Sequence, residues 1–278
     1  MRTLWQLLRS WHPEPGLAVT AAATLLALGV GHGPSGVVRV AATVLASQMA
    51  VGWVNDWLDA DRDQLVGRAD KPLANGLVSR RAVGLAGLLA ALATPLLALT
   101  TTGPAALCFT GALVSALLYD WPLKSTPISV LPFAVSFGAL PAFVILALPG
   151  APAPPVWIVA AGALLGAGAH FANALPDLDD DARTGVRGLP HRLGPARSRA
   201  AAAALLLATT LTLVFGPAGP PSWAGLAAVA AAVVVLPIGW YAGRAATARG
   251  ARPVAVFRAV LVVALIDVVL LVTSGRVV

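Results

Sequence analysis

The sequence predicts an all-α polytopic membrane protein with nine transmembrane helices, and three observations carry that expectation. Of 278 residues, 58% are hydrophobic and 11% charged, with a mean hydropathy of +0.81, a composition outside the range of soluble domains. Nine apolar runs recur along the chain, each near the roughly 20 residues that a helix needs to cross a bilayer. The connectors alternate: short ones rich in Gly and Pro with almost no charge, then longer ones that hold nearly every ionisable group.

The first run, 15–32, follows Arg2 and Arg9. It reads as a retained helix and not as a cleaved signal, because the charged segment is long, no small-residue cleavage site follows, and its loss would put the later charge alternation out of register. The second run, 36–57, enters an acidic stretch that ends at Asp63. Runs three and four, 81–100 and 104–120, share a short neutral turn, and the fourth holds Cys108, the only cysteine, which can form no internal disulfide. Runs five and six, 127–148 and 154–175, flank a neutral Pro-rich turn, and the sixth enters a second acidic stretch. Runs seven and eight, 197–215 and 221–242, repeat the pattern. The ninth, 254–274, contains Asp267, an isolated acid at a costly depth, to which the sequence assigns no role.

Charge orients the bundle. Of 19 Lys and Arg residues, all but Arg39 and Arg276 lie at the N-terminus or in the loops after runs two, four, six and eight, counting Arg258 at the start of run nine. The positive-inside rule then expects a multi-pass cell-membrane protein with the N-terminus and these loops in the cytoplasm and, after nine crossings, the C-terminus outside. The net charge of +7 is spread over four loops on one membrane face, where it meets anionic headgroups of the lipid bilayer; no nucleic-acid partner is expected. The chain reads as a single domain, 1–278, of two similar halves, 15–120 and 127–242, followed by the ninth helix. In each half the second helix closes in an acidic cluster followed by a basic loop.

The clusters carry the chemistry. Asn55, Asp59 and Asp63 recur every four residues, with Asp56 three before Asp59, so the set shares one helix face at the membrane edge. Asp177 and Asp181 repeat the i, i+4 relation. Like charges at that spacing repel, and a divalent cation is the natural neutraliser. Oxygen donors without His or Cys in the cluster select Mg²⁺, which combines one or two carboxylates with substrate phosphates and water. A solvated acidic loop balancing its basic neighbours is the plainer alternative, but its repetition in both halves argues against it. Arg68, Lys71, Arg80, Arg81, Lys124, Arg187 and Arg192 surround the clusters in sequence and suit phosphate oxygens, Arg through its forked donors and Lys as a point charge. A diphosphate head on a long hydrocarbon tail fits a basic mouth over an apolar bundle. Trp53, Trp57, Tyr119, Trp121 and Phe171 stand around that mouth, able to stabilise an allylic cation through their ring faces or simply to anchor at the interface.

These residues resemble the UbiA-type intramembrane prenyltransferases. The family's first motif stands here as Asn55, Asp56, Asp59 and Asp63, and its second as Asp177 and Asp181 within Asn173-Ala-Leu-Pro-Asp-Leu-Asp-Asp-Asp. The similarity extends to Lys71-Pro72-Leu73 with Gly76, to Tyr119 with Lys124, and to Gly185–Gly194 ending in Arg-Leu-Gly, a stretch that includes Arg187 and Arg192. The resemblance covers nearly the whole chain. It implies nine helices around a central cavity, Mg²⁺ held by Asp56, Asp59, Asp63, Asp177 and Asp181, and a lateral opening for a lipid chain. The substrates implied are a prenyl diphosphate and a small-molecule acceptor, aromatic or otherwise. Members that take aromatic acids use an Arg near the first helix, for which Arg9 is the candidate. Some relatives are terpene cyclases, in which a double bond of the prenyl chain itself attacks the cation, and no motif here separates the two. A cation transporter fits less well, because transporters place their ionisable sites near the midplane. His12 and Glu14 begin run one on the clusters' side, as proton acceptors or as an interfacial pair beside Pro13 and Pro15.

Overall fold

The computed structural model describes residues 2–249 and positions 259, 262, 263, 265–267 and 269. Every regular element among the described residues is helical: α1 (Arg2–Arg9), α2 (Pro13–Gly29), α3 (Pro34–Leu65), α4 (Arg80–Ala98), α5 (Gly103–Asp120), α6 (Val130–Leu146), α7 (Val156–Ala174), α8 (Leu178–Arg183), α9 (Leu189–Phe215) and α10 (Trp223–Ala248). Six of them, α3, α4, α5, α7, α9 and α10, are long and apolar enough to cross a membrane, and α6 is apolar but shorter. The first eight apolar runs each coincide with a helix, α2 to α7, α9 and α10. The ninth, 254–274, lies mostly outside the described residues, as do Arg258 and Arg276.

Local chemistry sets the helix starts. Proline occupies the first turn of α2, α3, α5 and α9, where its missing N–H costs nothing. Ser79 Oγ accepts from the Ala82 amide at 3.2 Å and Thr102 Oγ1 from the Ala105 amide at 3.3 Å, capping α4 and α5.

Four boundaries differ from the sequence expectation. α3 is 32 residues long and continues to Leu65, so the first cluster sits on unbroken helix. α7 stops at Ala174 and the chain turns through Leu175–Asp177 before α8, because Pro176 has no amide hydrogen to extend the ladder; the second cluster is therefore carried by a turn and a short helix, although the Asp181 amide still reaches the Asp177 carbonyl at 2.8 Å. α9 starts at Leu189, not 197, and breaks at Gly194, whose φ of 76° suits glycine and precedes Pro195. The charged N-terminus forms α1, with Leu4 and Trp5 exposed.

α3 packs on α2, α4 and α5, α7 on α6 and α9, and α9 on α10. The largest core joins Ala27, Val44, Phe109, Phe143, Ile145 and Ile158, at the bundle end opposite the acidic clusters. Lipid tails are as apolar as these side chains, so close backbone approach and not hydrophobicity drives such packing. Gly166 illustrates it: a Cβ there would collide with the Phe133 carbonyl of α6.

Gly52 does the same for the N-terminal segment. Its missing Cβ admits the Trp11 backbone onto α3, one helical turn before Asp56. Gly52→Val is expected to lift Trp11 and His12 off α3 at an overpacking cost of about 1–3 kcal/mol. A red-shifted tryptophan emission together with a lower unfolding temperature would register it; wild-type values for both would refute it.

Candidate active site

The face of α3 that carries Asn55, Asp56, Asp59 and Asp63 points inward: Asp56, Asp59 and Asp63 are all buried. Buried carboxylates must be compensated, and each meets cationic groups. Asp56 Oδ1 accepts from Lys71 Nζ and lies 2.9 Å from His12 Nε2, and His12 Nε2 is itself 2.7 Å from Lys71 Nζ. Asp59 accepts from Lys124 Nζ and, at 2.9 Å, from Arg62 Nη2. Asp63 lies 3.7 Å from Lys71 Nζ.

The second cluster faces the first across two arginines. Arg68 Nη1 donates to Asp177 at 3.0 Å, and Arg62 Nη2, already on Asp59, stands 3.7 Å from Asp181. His191 Nε2 is 3.3 Å from the other Asp181 oxygen. Helix spacing alone aligns residues within a cluster; these interhelical pairs bring the two clusters to one place.

Arg68 also grips Asp70 through two hydrogen bonds of 2.9 Å, from Nε and Nη2. Its guanidinium holds the Asp70 carboxyl down to about 2, and the partnership raises Arg68 in turn. A depressed acid adds stability above its unfolded pKa of about 3.9, which is lost as the pH falls toward 2. Asp70→Asn is therefore expected to flatten the pH dependence of thermal unfolding between about pH 4 and 2, by a small amount because the Asp70 side chain is 57% exposed. An unaltered acid slope would exclude this pair as its source.

Asn55 donates both to Asp59 Oδ2, at 3.3 Å, and to Asp120 Oδ1, at 3.2 Å. Both acceptors engage its amide nitrogen, leaving the Asn55 oxygen free to serve as a donor atom to a ligand. Asp120 closes α5 and is 3% exposed. Its neighbour Tyr119 turns into an aromatic group, edge-on to Phe133 at 4.7 Å and to His170 at 5.5 Å. His170 pairs with Ser129 Oγ at 3.0 Å, and that oxygen accepts from the Leu189 amide at 2.9 Å, which ties the start of α9 to the α5–α6 connection.

The residues singled out from sequence thus divide. Asn55, Asp56, Asp59, Asp63, Arg68, Lys71, Lys124, Asp177 and Asp181 converge. Asn173, Arg187 and Arg192 are exposed, and Arg192 Nε donates to the Arg187 carbonyl at 3.2 Å. Arg80 is held by Asp61 and lies over the Trp57 ring at 5.5 Å. His12 and Glu14 part: Glu14 is exposed, while His12, in the left-handed region at φ 57°, turns to Asp56 and Lys71. Sequence reasoning missed Arg62, Asp120 and His191. Arg62 was legible three residues after Asp59; nothing local marked the other two.

Could these groups hold a cation? Among the described residues, no three His, Cys, Asp or Glu side chains converge tightly enough to form a ready-made metal cage, because Lys and Arg rest on the carboxylates. The donor set nevertheless fits a hard divalent ion: it is built of carboxylate and amide oxygens, and Asp56 Oδ2 and Asp120 Oδ2 are buried acceptors with no hydrogen-bond partner.

Residues 16–265 match the UbiA prenyltransferase family. The chain is 31% identical over 216 residues to digeranylgeranylglyceryl phosphate synthase of Methanopyrus kandleri, covering 71% of this chain and 74% of that protein. Its fold superposes on a UbiA homolog from Archaeoglobus fulgidus bound to GPP and Mg²⁺, with a TM-score of 0.73, 17% identity, and 98% and 100% of the two chains covered. A UbiA homolog from Aeropyrum pernix gives a TM-score of 0.72 at 23% identity, over 94% and 96% of the chains. With apolar helices in number, two facing aspartate clusters and a family match over most of its length, this chain is a multi-pass membrane protein that belongs to the UbiA prenyltransferase family.

Proposed function

We propose that the protein transfers a prenyl group from a prenyl diphosphate to a small-molecule acceptor within the membrane, in a Mg²⁺-dependent reaction at the two aspartate clusters. The observation that carries this reading is the convergence of both clusters through Arg62 and Arg68. Nine membrane-spanning helices around a central cavity, an N-terminus and site mouth in the cytoplasm, and a C-terminus outside belong to the same reading and follow from the charge alternation.

Asp56, Asp59, Asp63, Asp177 and Asp181 would hold Mg²⁺, with the Asn55 oxygen beside them, and the ion would supply Lewis-acid neutralisation of the departing diphosphate. The chain's own cations do the rest. Lys71, Lys124, Arg62 and Arg68 now rest on carboxylates; freed from them, they turn to phosphate oxygens, the arginines in forked fashion. Arg187 and Arg192, both exposed, reach for the diphosphate from the loop before and the first turn of α9, and Asn173 from the end of α7. Tyr119, beside Asp120, offers its ring to positive charge growing on the prenyl carbon. The apolar bundle beneath keeps water from that carbon.

Two further facts support the donor: solved homologs hold GPP or DMAPP with Mg²⁺, and a relative makes a glyceryl phosphate that bears two geranylgeranyl groups. The test is mass spectrometry of products from a panel of prenyl diphosphates, with and without geranylgeranylglyceryl phosphate and aromatic acids as acceptors. A prenylated acceptor formed only with Mg²⁺ is the expected result. A cyclic hydrocarbon formed from the diphosphate alone would replace transferase with terpene cyclase, and Mg²⁺-independent pyrophosphate release would contradict the site.

A further inference from the structure

Arg199 presents a problem that the reaction does not answer. It lies on α9 five residues past the kink, where Ser198 Oγ donates to the Pro190 carbonyl at 3.0 Å across the break. Only 9% of Arg199 is exposed, yet its Nε and Nη1 are shut from solvent without a hydrogen-bond partner. Its guanidinium stands 5.9 Å from the Trp240 ring centroid of α10, in a narrow crevice lined also by Ala202, Leu206 and Leu236. Stacking on an aromatic face accommodates an arginine but leaves its edge donors unmet, and buried charged donors without acceptors are among the costliest features of a fold.

No acid of this chain answers Arg199 from its own helices or from the connections between them. From Arg183 to Arg258 the sequence holds nine arginines and not one Asp or Glu. The next acid, Asp267, is engaged by Thr210 Oγ1 at 3.2 Å, and Thr210 lies eleven residues farther along α9, about 16 Å at the helical rise. Arg244, one turn after Trp240 on α10, adds a like charge that acts on Arg199. Two cations of one sign, one of them buried with idle donors beside an aromatic plate, mark a place for an external anion.

We propose that the crevice between α9 and α10 binds a phosphate group, with Arg199 as the buried donor, Arg244 as the outer cation and Trp240 as the wall. The apolar floor of Ala202, Leu206 and Leu236 suits a phosphate attached to an acyl chain, as in an anionic phospholipid; a free phosphate-bearing solute shares the same head chemistry. This site is separate from the aspartate clusters and independent of the reaction proposed there.

The experiment uses the full-length protein, delipidated in neutral detergent at low ionic strength, with thermal unfolding followed against phosphatidylglycerol, phosphatidylcholine or inorganic phosphate. Phosphatidylglycerol is expected to stabilise at lower concentration than phosphatidylcholine, and Arg199→Gln to raise its midpoint concentration about tenfold. Arg244→Gln should give a smaller rise in the same direction, and Arg249→Gln, exposed at the end of α10, none. An equal, Arg199-dependent stabilisation by inorganic phosphate would support the site and assign it to a free solute. Identical responses of Arg199→Gln and wild type, or no preference for an anion over phosphatidylcholine, would overturn the proposal. Should Arg199→Gln not fold, Trp240→Leu keeps the cation and removes the wall; unchanged phosphatidylglycerol binding by it would be equally fatal.

Discussion

Asp56→Leu is expected to destabilise the protein markedly, whereas Asp56→Leu combined with Lys71→Met recovers part of that stability, limited because buried Asp63 then loses its nearest cation, and leaves the enzyme inactive. Asp56 is 1% exposed and Lys71 6%, so their pair is buried. Removing one member of a buried pair strands the other charge, at about 3–5 kcal/mol, while replacing both with apolar groups of similar volume is near neutral. Asp63, 3.7 Å from Lys71 Nζ, remains as a weaker partner and puts the single variant at the lower end of that range. His12, 2.7 Å from the same ammonium, does not replace the lost carboxylate, since a protonated imidazole repels the ammonium and a neutral one accepts a hydrogen bond without supplying opposite charge. Unfolding temperature separates the three proteins; product formation does not, because both variants lack the carboxylate. A double variant as active as wild type would remove Asp56 from the proposed site.

Lys124→Met should show the opposite pattern, with activity lost and stability nearly kept. Asp59 retains Arg62 at 2.9 Å and the Asn55 amide at 3.3 Å when Lys124 is gone, so its carboxylate is not stranded. What disappears is a cation available to the diphosphate as its charge grows, and deleting one such preorganised group costs about 10²–10³ in kcat. Lys124→Arg keeps the charge on a different geometry and should recover part of the loss. Steady-state kinetics at saturating prenyl diphosphate reads this directly. A kcat within about threefold of wild type would mean that Lys124 serves only to neutralise Asp59.

The two predictions rest on features that differ in how visible they were. Asp56, Asp59 and Asp63 could be placed on one face from their spacing, because helical periodicity is a property of neighbours along the chain. That Asp56 would meet Lys71, Asp59 Lys124, and Asp177 Arg68 could not. Those pairs are separated by 15, 65 and 109 residues, and no periodicity reaches so far. His12 shows the difference well. Its sequence neighbours, two prolines and Glu14, suggest an interfacial helix start; its left-handed backbone and the gap left by Gly52 turn it to Asp56 instead. For Arg187 and Arg192 the Gly-rich sequence marks two basic residues without saying where they face, and the fold leaves both exposed, one before α9 and one in its first turn.

By itself, then, the sequence determined the all-helical membrane class, the approximate places of eight of the described helices, the two aspartate clusters and the oxygen-donor chemistry that suits a divalent ion. Hydropathy, proline placement and helical spacing are local quantities, and each can be read from a short window of chain. Tertiary structure alone decided that α3 runs unbroken through its cluster while Pro176 divides the other, and that Arg62 and Arg68 join the two. It also decided that Asp120 sits beneath Asn55 and that Arg199 is buried without an acid. Those facts depend on which side chains meet across helices, and in a chain whose interiors are almost uniformly Ala, Leu, Val and Gly, the hydrophobic pattern does not say which face looks inward.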